Sequence, residues 1–239
     1  GADMNKYLDS GNEARIKKAY ESRDPRLQMA VITPYAQYNG ASSGIAHTYT
    51  LRWPYRGSDS AKPFDIRTDT NDKFYYLWRK FVPEGLEQTE RDTYGLDIPL
   101  IRYAEVLLLK AEALNEWGST HESEAIRCVN EVRRRAGHVE LNNATYPATK
   151  VNGQSDLRER IRNEYYWEIG GEDSMYFHEL RWGTWKDKKF DNNRNGLMQM
   201  WGETTYTWYW LGDQCWSWPI PAKEMEMNSN LEQNEGWIN

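Results

Sequence analysis

Apolar and polar positions alternate with helical spacing most clearly between Asp97 and Gly137, DIPLIRYAEVLLLKAEALNEWGSTHESEAIRCVNEVRRRAG. This stretch predicts two helices folded back on each other. Ile101, Ala104, Leu108 and Ala111 form one apolar stripe. Asp97 can cap the first helix, and Pro99 falls in its first turn, where a missing N–H is harmless. Gly118 ends that helix, and Ser119 with Glu122 has the spacing of a capping box for the next. Ala125, Val129 and Val132 give the second stripe, with Gly137 as the residue after the cap. Small residues at Ala104, Ala111 and Ala125 allow the two helices to approach closely.

The same reading extends outward from this pair. Asn12 to Glu21 suits a short helix, and Asp24 before Pro25 ends it, because a residue preceding proline avoids the helical region. Leu27 to Thr33 reads as a strand. Pro34 to Asp72 reads as a long irregular segment rich in Gly, Ser, Thr, Pro and Asp, studded with Tyr35, Tyr38, Tyr49, Trp53 and Tyr55. A loop of that length is functional or disordered, and its rings argue against disorder. Phe74 to Val82 reads as a strand or short helix. Asp156 and Glu159 have capping-box spacing for a third helix with Leu157, Ile161, Tyr165 and Ile169 on its apolar face, stopped by Gly170 and Gly171. Met175 to Trp185 reads as another short helix and Asp191 to Gly212 as loop. In the tail, Pro219 and Pro221 force extension before a helical turn at Ala222 to Met225.

The central pair has the helix-turn-helix form of tetratricopeptide arrays. One such pair cannot bury both of its faces, so other parts of the chain must cover it.

Composition narrows the function classes. The net charge of −6 over 239 residues argues against nucleic acid, which favours a basic face. No apolar run approaches the roughly 20 residues of a membrane span. The opening GADMNKYLDS lacks the pattern of a signal peptide. Cys128 and Cys215 lie far apart, and Cys128 is expected as a buried free thiol in a packed helix. Twelve Trp and 16 Tyr against five Phe favour rings with a polar handle, which suits surfaces half in water.

Candidate chemistry is sparse. His47, His121, His138 and His178 show no zinc-site spacing. Asp191-x-Asn193-x-Asn195-Gly196 starts like a calcium loop, but its twelfth position is Gly202, so it reads as a polar turn and no metal is assigned. Asn143-Ala144-Thr145 is a glycosylation sequon by pattern. No nucleophile elbow, phosphate loop or dinucleotide fingerprint appears, so no catalytic residue and no cofactor is assigned. Paired carboxylates for glycoside cleavage stay open as an alternative. Glu105 and Glu112 share a helix face and are expected to meet arginines such as Arg133 to Arg135, or water.

Several stretches together resemble the C-terminal part of the SusD/RagB family: SRDPRL (22–27), DIPLIRYAEVLLLKAEALNEWG (97–118), EAIRCVNEVRRRAG (124–137), ERIRNEYYWE (159–168), ELRWG (179–183) and WPIPAKEMEMNSNLEQNEGW (218–237). Two features depart from the family pattern. Ile169 to Tyr176 intervene before the ELRWG stretch, with no Arg between Glu172 and Tyr176. The family's lipidated Cys and earlier tetratricopeptide helices are not in this sequence, so it is expected to be a C-terminal portion of a longer protein. The resemblance implies a mainly α fold, one SusD-like domain over 1–239 with the tetratricopeptide-like pair at 97–137, long irregular loops and minor β structure. It implies non-catalytic capture of an oligosaccharide or polysaccharide at the extracellular face of the outer membrane. Delivery would be to a SusC-like TonB-dependent transporter, with membrane contact only through a lipid anchor outside this chain. The rival readings are a carbohydrate-active enzyme of the same uptake locus and a tetratricopeptide-type interaction scaffold.

Saccharide recognition needs flat apolar platforms for the sugar C–H face, with planar polar groups for its hydroxyls. In the family, aromatics often follow the RDPR stretch. The expected glycan-binding residues are therefore Trp53 and Tyr55, then Tyr38, with Arg52 beside them. The alternative use of Trp53 is a hinge packed against the helices. Trp208 and Trp210 form a second candidate pair, on one side of the segment if it is extended. Trp117, Trp167 and Trp182 are expected to serve helix contacts.

Overall fold

The computed structural model describes residues 13–21, 23–42, 45–55, 65–69, 77–82, 84, 97–172, 174–190, 197–198, 204–206 and 210–237; within these, the side chains of 13–16, 41–42, 52–55, 65–69, 197–198 and 204–206 are outside the description. The fold is mainly α with minor β. The chain divides into two compact units, Gly1–Met175 and Tyr176–Asn239.

The centre of the first unit is the expected helix pair, α3 (Tyr103–Trp117) and α4 (Glu122–Arg135), with α5 (Gln154–Ile169) packed on α3. The three stripes meet as the periodicity requires. Leu108 and Ala111 of α3, Ala125, Val129 and Val132 of α4, and Leu157, Ile161, Tyr165 and Ile169 of α5 are each no more than 2% exposed. Cys128 lies buried among them as a free thiol. Desolvation pushes that thiol above its ordinary range, which keeps it protonated and inert. Gly118 ends α3 at φ 142°, and Gly137 follows the cap of α4 in the left-handed region at φ 70°.

The helix starts differ from the sequence reading. Asp97 to Ile101 is not helical. α3 begins at Tyr103 behind an extended Arg102, and Ile101 lies 72% exposed instead of joining the stripe. The cause is Arg102, whose guanidinium is tied back to α5. Ser119–His121 forms a 3-10 turn, and α4 starts at Glu122 with no side-chain cap, so the capping box is not made. α5 starts at Gln154 behind Gly153. Asp156 therefore sits inside the first turn, accepting from the Asn152 N–H (2.8 Å) and Arg160 Nε (2.9 Å).

The N-terminal part corrects two further expectations. α1 (Glu13–Glu21) forms as expected, but Leu27 to Ala30 is helical: α2 spans Pro25–Ala30. Asp24 Oδ1 accepts from the Arg26 N–H at 2.9 Å, and Pro25 occupies the first helical position, so the Asp-Pro step starts a helix as well as ending one. Only β1 (Val31–Ile32) is extended, and it pairs antiparallel with β5 (Leu77–Trp78). The expected long loop holds a three-stranded sheet of β2 (Gln37–Ser42), β3 (Ile45–Tyr55) and β4 (Asp65–Asp69), with β2–β3 antiparallel and β3–β4 parallel. Its Thr and Tyr content favours a pleated, half-buried surface over irregular chain.

In the second unit, the expected helix at 175–185 is broken in two. α6 (Ser174–Arg181), which begins in the first unit, and α7 (Trp185–Lys189) are separated by Gly183 at φ 66°. β6 (Leu197–Met198) and β7 (Thr204–Tyr206) pair inside the segment read as loop. The tail contains the expected turn as α8 (Ala222–Met227). Side chains hold the extended Trp218–Pro221 stretch. Ile220 N–H donates to Gln233 Oε1 (2.7 Å), and Gln233 Nε2 donates to Ile220 O (3.0 Å), as a neighbouring strand would. Asn234 Nδ2 donates to Trp218 O at 2.6 Å, and Trp237 Nε1 donates to Ser217 O at 2.9 Å.

Candidate functional site

Four of the six stretches that carried the resemblance, 22–27, 97–118, 124–137 and 159–168, meet in one ion network, which fixes the frame on which the strands are mounted. α5 contributes Glu164 and Glu168, whose side chains are almost fully buried. Arg133 Nε of α4 donates to Glu164 Oε2 at 2.7 Å. Arg26 of α2 donates from Nη1 to Glu168 Oε2 (3.0 Å). The same nitrogen lies 2.8 Å from Glu164 Oε1, which so receives charge without an aligned hydrogen bond. Arg102 Nη1 and Arg135 Nη2 donate to Glu168 Oε1 at 2.9 and 2.6 Å. Arg102 also holds Glu172 through Nε and Nη2, and Glu172 pairs with Lys80. Lys80 Nζ in turn donates to Glu168 O and Gly170 O, capping the end of α5. Arg133 and Arg135 thus serve carboxylates of α5, and Arg134 serves Glu140.

Burial raises the Glu168 carboxyl, but hydrogen bonds from Arg102 and Arg26 outweigh it and hold the group below its ordinary range. Asp24 behaves alike: burial raises it, and its bonds from Arg26 bring it below the usual value. These charges are spent on one another and hold the fold.

The sheet extends from this frame. Leu51 of β3 is fully buried, and its backbone bonds to Ala36 and Tyr35 seat that end of the hairpin. Arg79, just after β5, clamps β2. Its guanidinium donates to Glu84 and to Gln37 O (3.0 Å), and Glu84 Oε2 accepts the Asn39 N–H at 3.3 Å. The Arg79 hydrogen bond keeps the Glu84 carboxyl below its ordinary range.

Beyond the clamp the hairpin carries rings. Tyr38 of β2 lies opposite Tyr49 of β3, and Gly40 lies opposite His47, so period-two alternation puts all four on one face. The two tyrosine centroids are 6.3 Å apart with planes inclined at 39°. His47 meets Tyr49 edge-on at 6.2 Å. Tyr38, Tyr49 and His47 are half-buried, and Gly40 is buried beneath them. On the opposite face Thr48 Oγ1 donates to Asn39 Oδ1 at 3.1 Å, and both residues are exposed. The hairpin offers ring surface on one face and an amide and a hydroxyl on the other.

The expected site residues divide as follows. Tyr38 belongs to this ring face. Arg52 and Tyr55 pair with Arg67 and Asp69 of β4, and Trp53 lies between them at the register shift; the side chains of all three are outside the description. Trp208 and the Asp191 to Gly196 turn lie outside the described residues. Trp210 belongs to the second unit. Its ring meets Phe190 at 5.3 Å and Trp216 at 5.0 Å, with Lys186 Nζ 5.6 Å over it. Trp117 is 76% exposed and stacks on His121, while Trp167 stacks on His138. Sequence reasoning missed Tyr49, His47 and Gly40 as site residues. The signal was the Ser43-Gly44 step flanked in sequence by Tyr-x-Gly and His-x-Tyr, two alternating runs.

A tetratricopeptide-type helix pair locked by buried ion pairs, with ring-bearing strands mounted outside it, defines a helical scaffold that presents aromatic surface. This chain belongs to the SusD family, whose model matches residues 4–237 and so spans both units. It is 32% identical over 139 residues to SusD-like protein P38 of Formosa agariphila, a match covering 58% of this chain and 24% of that protein. It is 28% identical over 161 residues to the starch-binding protein SusD of Bacteroides thetaiotaomicron, covering 67% of this chain and 25% of the relative. The matched stretches thus span about a quarter of those relatives' length. The fold is similar to a SusD-like protein from Bacteroides fragilis at TM-score 0.61 and 22% identity, over 92% of this chain and 40% of the other. Among the described residues no helix is long and apolar enough to cross a membrane.

Proposed function

We propose that this chain contributes to non-catalytic saccharide binding, with the Tyr38–Tyr49–His47 face as a seat for sugar rings. The observation that carries this reading is the half-buried tyrosine pair over a side-chain-free floor, with the His47 ring at its edge. Pyranose C–H groups pack on electron-rich ring faces, and tyrosine hydroxyls and an imidazole can hydrogen-bond sugar hydroxyls. Membership in a family that includes a starch-binding protein supports the same ligand class. Trp53, Tyr55 and Arg52 on β3 belong to the proposed contact set, and Trp208 with Trp210 form a separate candidate pair. Delivery to a SusC-like TonB-dependent transporter belongs to the proposal, as does an extracellular position on the outer membrane held by a lipid anchor outside these residues. Both rest on the family membership.

The test is calorimetry of this chain against neutral and acidic polysaccharides, soluble starch among them, with a parallel assay for new reducing ends. The expected result is saturable binding without turnover, weakened about tenfold or more (~1.4 kcal/mol) in the Tyr38→Ala/Tyr49→Ala double variant. New reducing ends at catalytic protein levels would overturn it, as would full affinity in the double variant.

A further inference from the structure

We propose that Gly40 is the positioning residue of the ring seat: the missing side chain there sets how far Tyr38 and Tyr49 lean inward. This rests on the saccharide-binding reading for its use, though not for its geometry. A Cβ placed on Gly40 would stand 2.8 Å from Tyr38 Cε1, 2.8 Å from Tyr49 Cε2 and 3.1 Å from Tyr49 Cδ2. Real Cβ contacts are not that short, so both rings would have to swing outward, each from its own strand. Tyr38 shares Gly40's strand and Tyr49 is its diagonal neighbour across the ladder, so the one position controls both. The site needs this because the strands around it are fixed. The Arg79–Glu84 pair holds Gln37 and Asn39, and Leu51 is packed at the far end. The rings are the adjustable part, and Gly40 is what they close upon. Its effect is exerted through the tyrosines, without its own contact to a ligand.

Gly171 shows the same device in a different setting. Its backbone, at φ 83°, lies under the Trp78 ring, where a Cβ would stand 2.6 Å from Cζ3. There the strain of the left-handed conformation adds to the clash. The positive-φ glycines do not include Gly40, so a Gly40→Ala change acts through the rings and leaves the backbone unstrained.

The experiment is Gly40→Ala, followed by ring 1H–13C NMR of tyrosine-labelled chain and by calorimetry with soluble starch and the other polysaccharides above. The expected result is displaced cross-peaks for Tyr38 and Tyr49 alone, an unchanged far-ultraviolet CD spectrum, and an affinity loss of about tenfold. In a Tyr38→Ala/Tyr49→Ala background, Gly40→Ala should add nothing, because its partners are gone. If Gly40→Ala alone unfolds the hairpin, the triple variant should restore it. Unmoved Tyr38 and Tyr49 cross-peaks in a folded Gly40→Ala chain would overturn the positioning role. So would an equal added loss in the double-variant background. A native chain that binds no polysaccharide overturns the functional reading, while the cross-peaks still decide the role of Gly40.

Discussion

Glu168→Ala is expected to cost this chain about 3–5 kcal/mol, read as a lower urea midpoint at unchanged slope. Glu168 has a 2% exposed side chain and accepts from Arg26, Arg102 and Arg135. Removing it leaves the Arg26 guanidinium, itself 10% exposed, without one of its carboxylate partners. Arg135→Ala removes a partner of the same carboxylate from the outside. Its side chain is 60% exposed, and solvent screening limits the expected loss to about 1 kcal/mol or less. A pH series adds a second reading. Glu168 and Asp24 are held below their ordinary values in the folded chain, so the unfolded chain binds more protons in mild acid. Their stabilisation is complete above the unfolded carboxylate range, near pH 4.5, and is lost as pH falls through their lower folded values. The Glu168→Ala chain should therefore show a shallower stability loss between about pH 5 and pH 3 than the native one. Equal slopes would mean that this carboxylate titrates alike in both states.

Ile161→Ala is expected to cost about 2–5 kcal/mol, the range for a buried aliphatic truncated to Ala without collapse of the site. Ile161 is fully buried in the shared core of α3, α4 and α5. The contrast is Ile101→Ala, which the sequence stripe would rank beside it. Ile101 lies before α3 and is 72% exposed, so in this chain the expected change is within about 0.5 kcal/mol. Thermal or urea unfolding of both variants checks the register of the stripe. A large loss for Ile101→Ala would place that residue in the core and move the start of α3 toward Asp97.

These two residues show what the sequence made legible. The i, i+4 recurrence of Leu157, Ile161, Tyr165 and Ile169 identified the buried face of α5 because one face of a helix can be read locally. Ala125, Val129 and Val132 were legible for the same reason. Helix starts were not, because they depend on distant partners. Arg102 stays extended through bonds to Glu168 and Glu172, some 66 and 70 residues away. The ion network was invisible for the same cause: arginine triplets and a Glu-x-x-x-Glu step look like a solvated surface until the fold brings them together. The Gly, Ser, Thr, Pro and Asp content of 34–72 reads as loop, while Thr48, Tyr49 and Thr50 of β3 favour a strand. Of the expected site, Tyr38 stands among rings. Its companions Tyr49 and His47 needed the register of β2 on β3, which no local pattern supplies.

The most direct test of the ring face is saturation-transfer NMR on this chain with a bound polysaccharide, irradiating the aromatic protons. The account predicts transfer to sugar ring protons that falls markedly in Tyr38→Ala/Tyr49→Ala. Transfer of the same strength in that variant, or none from the native chain, would contradict it.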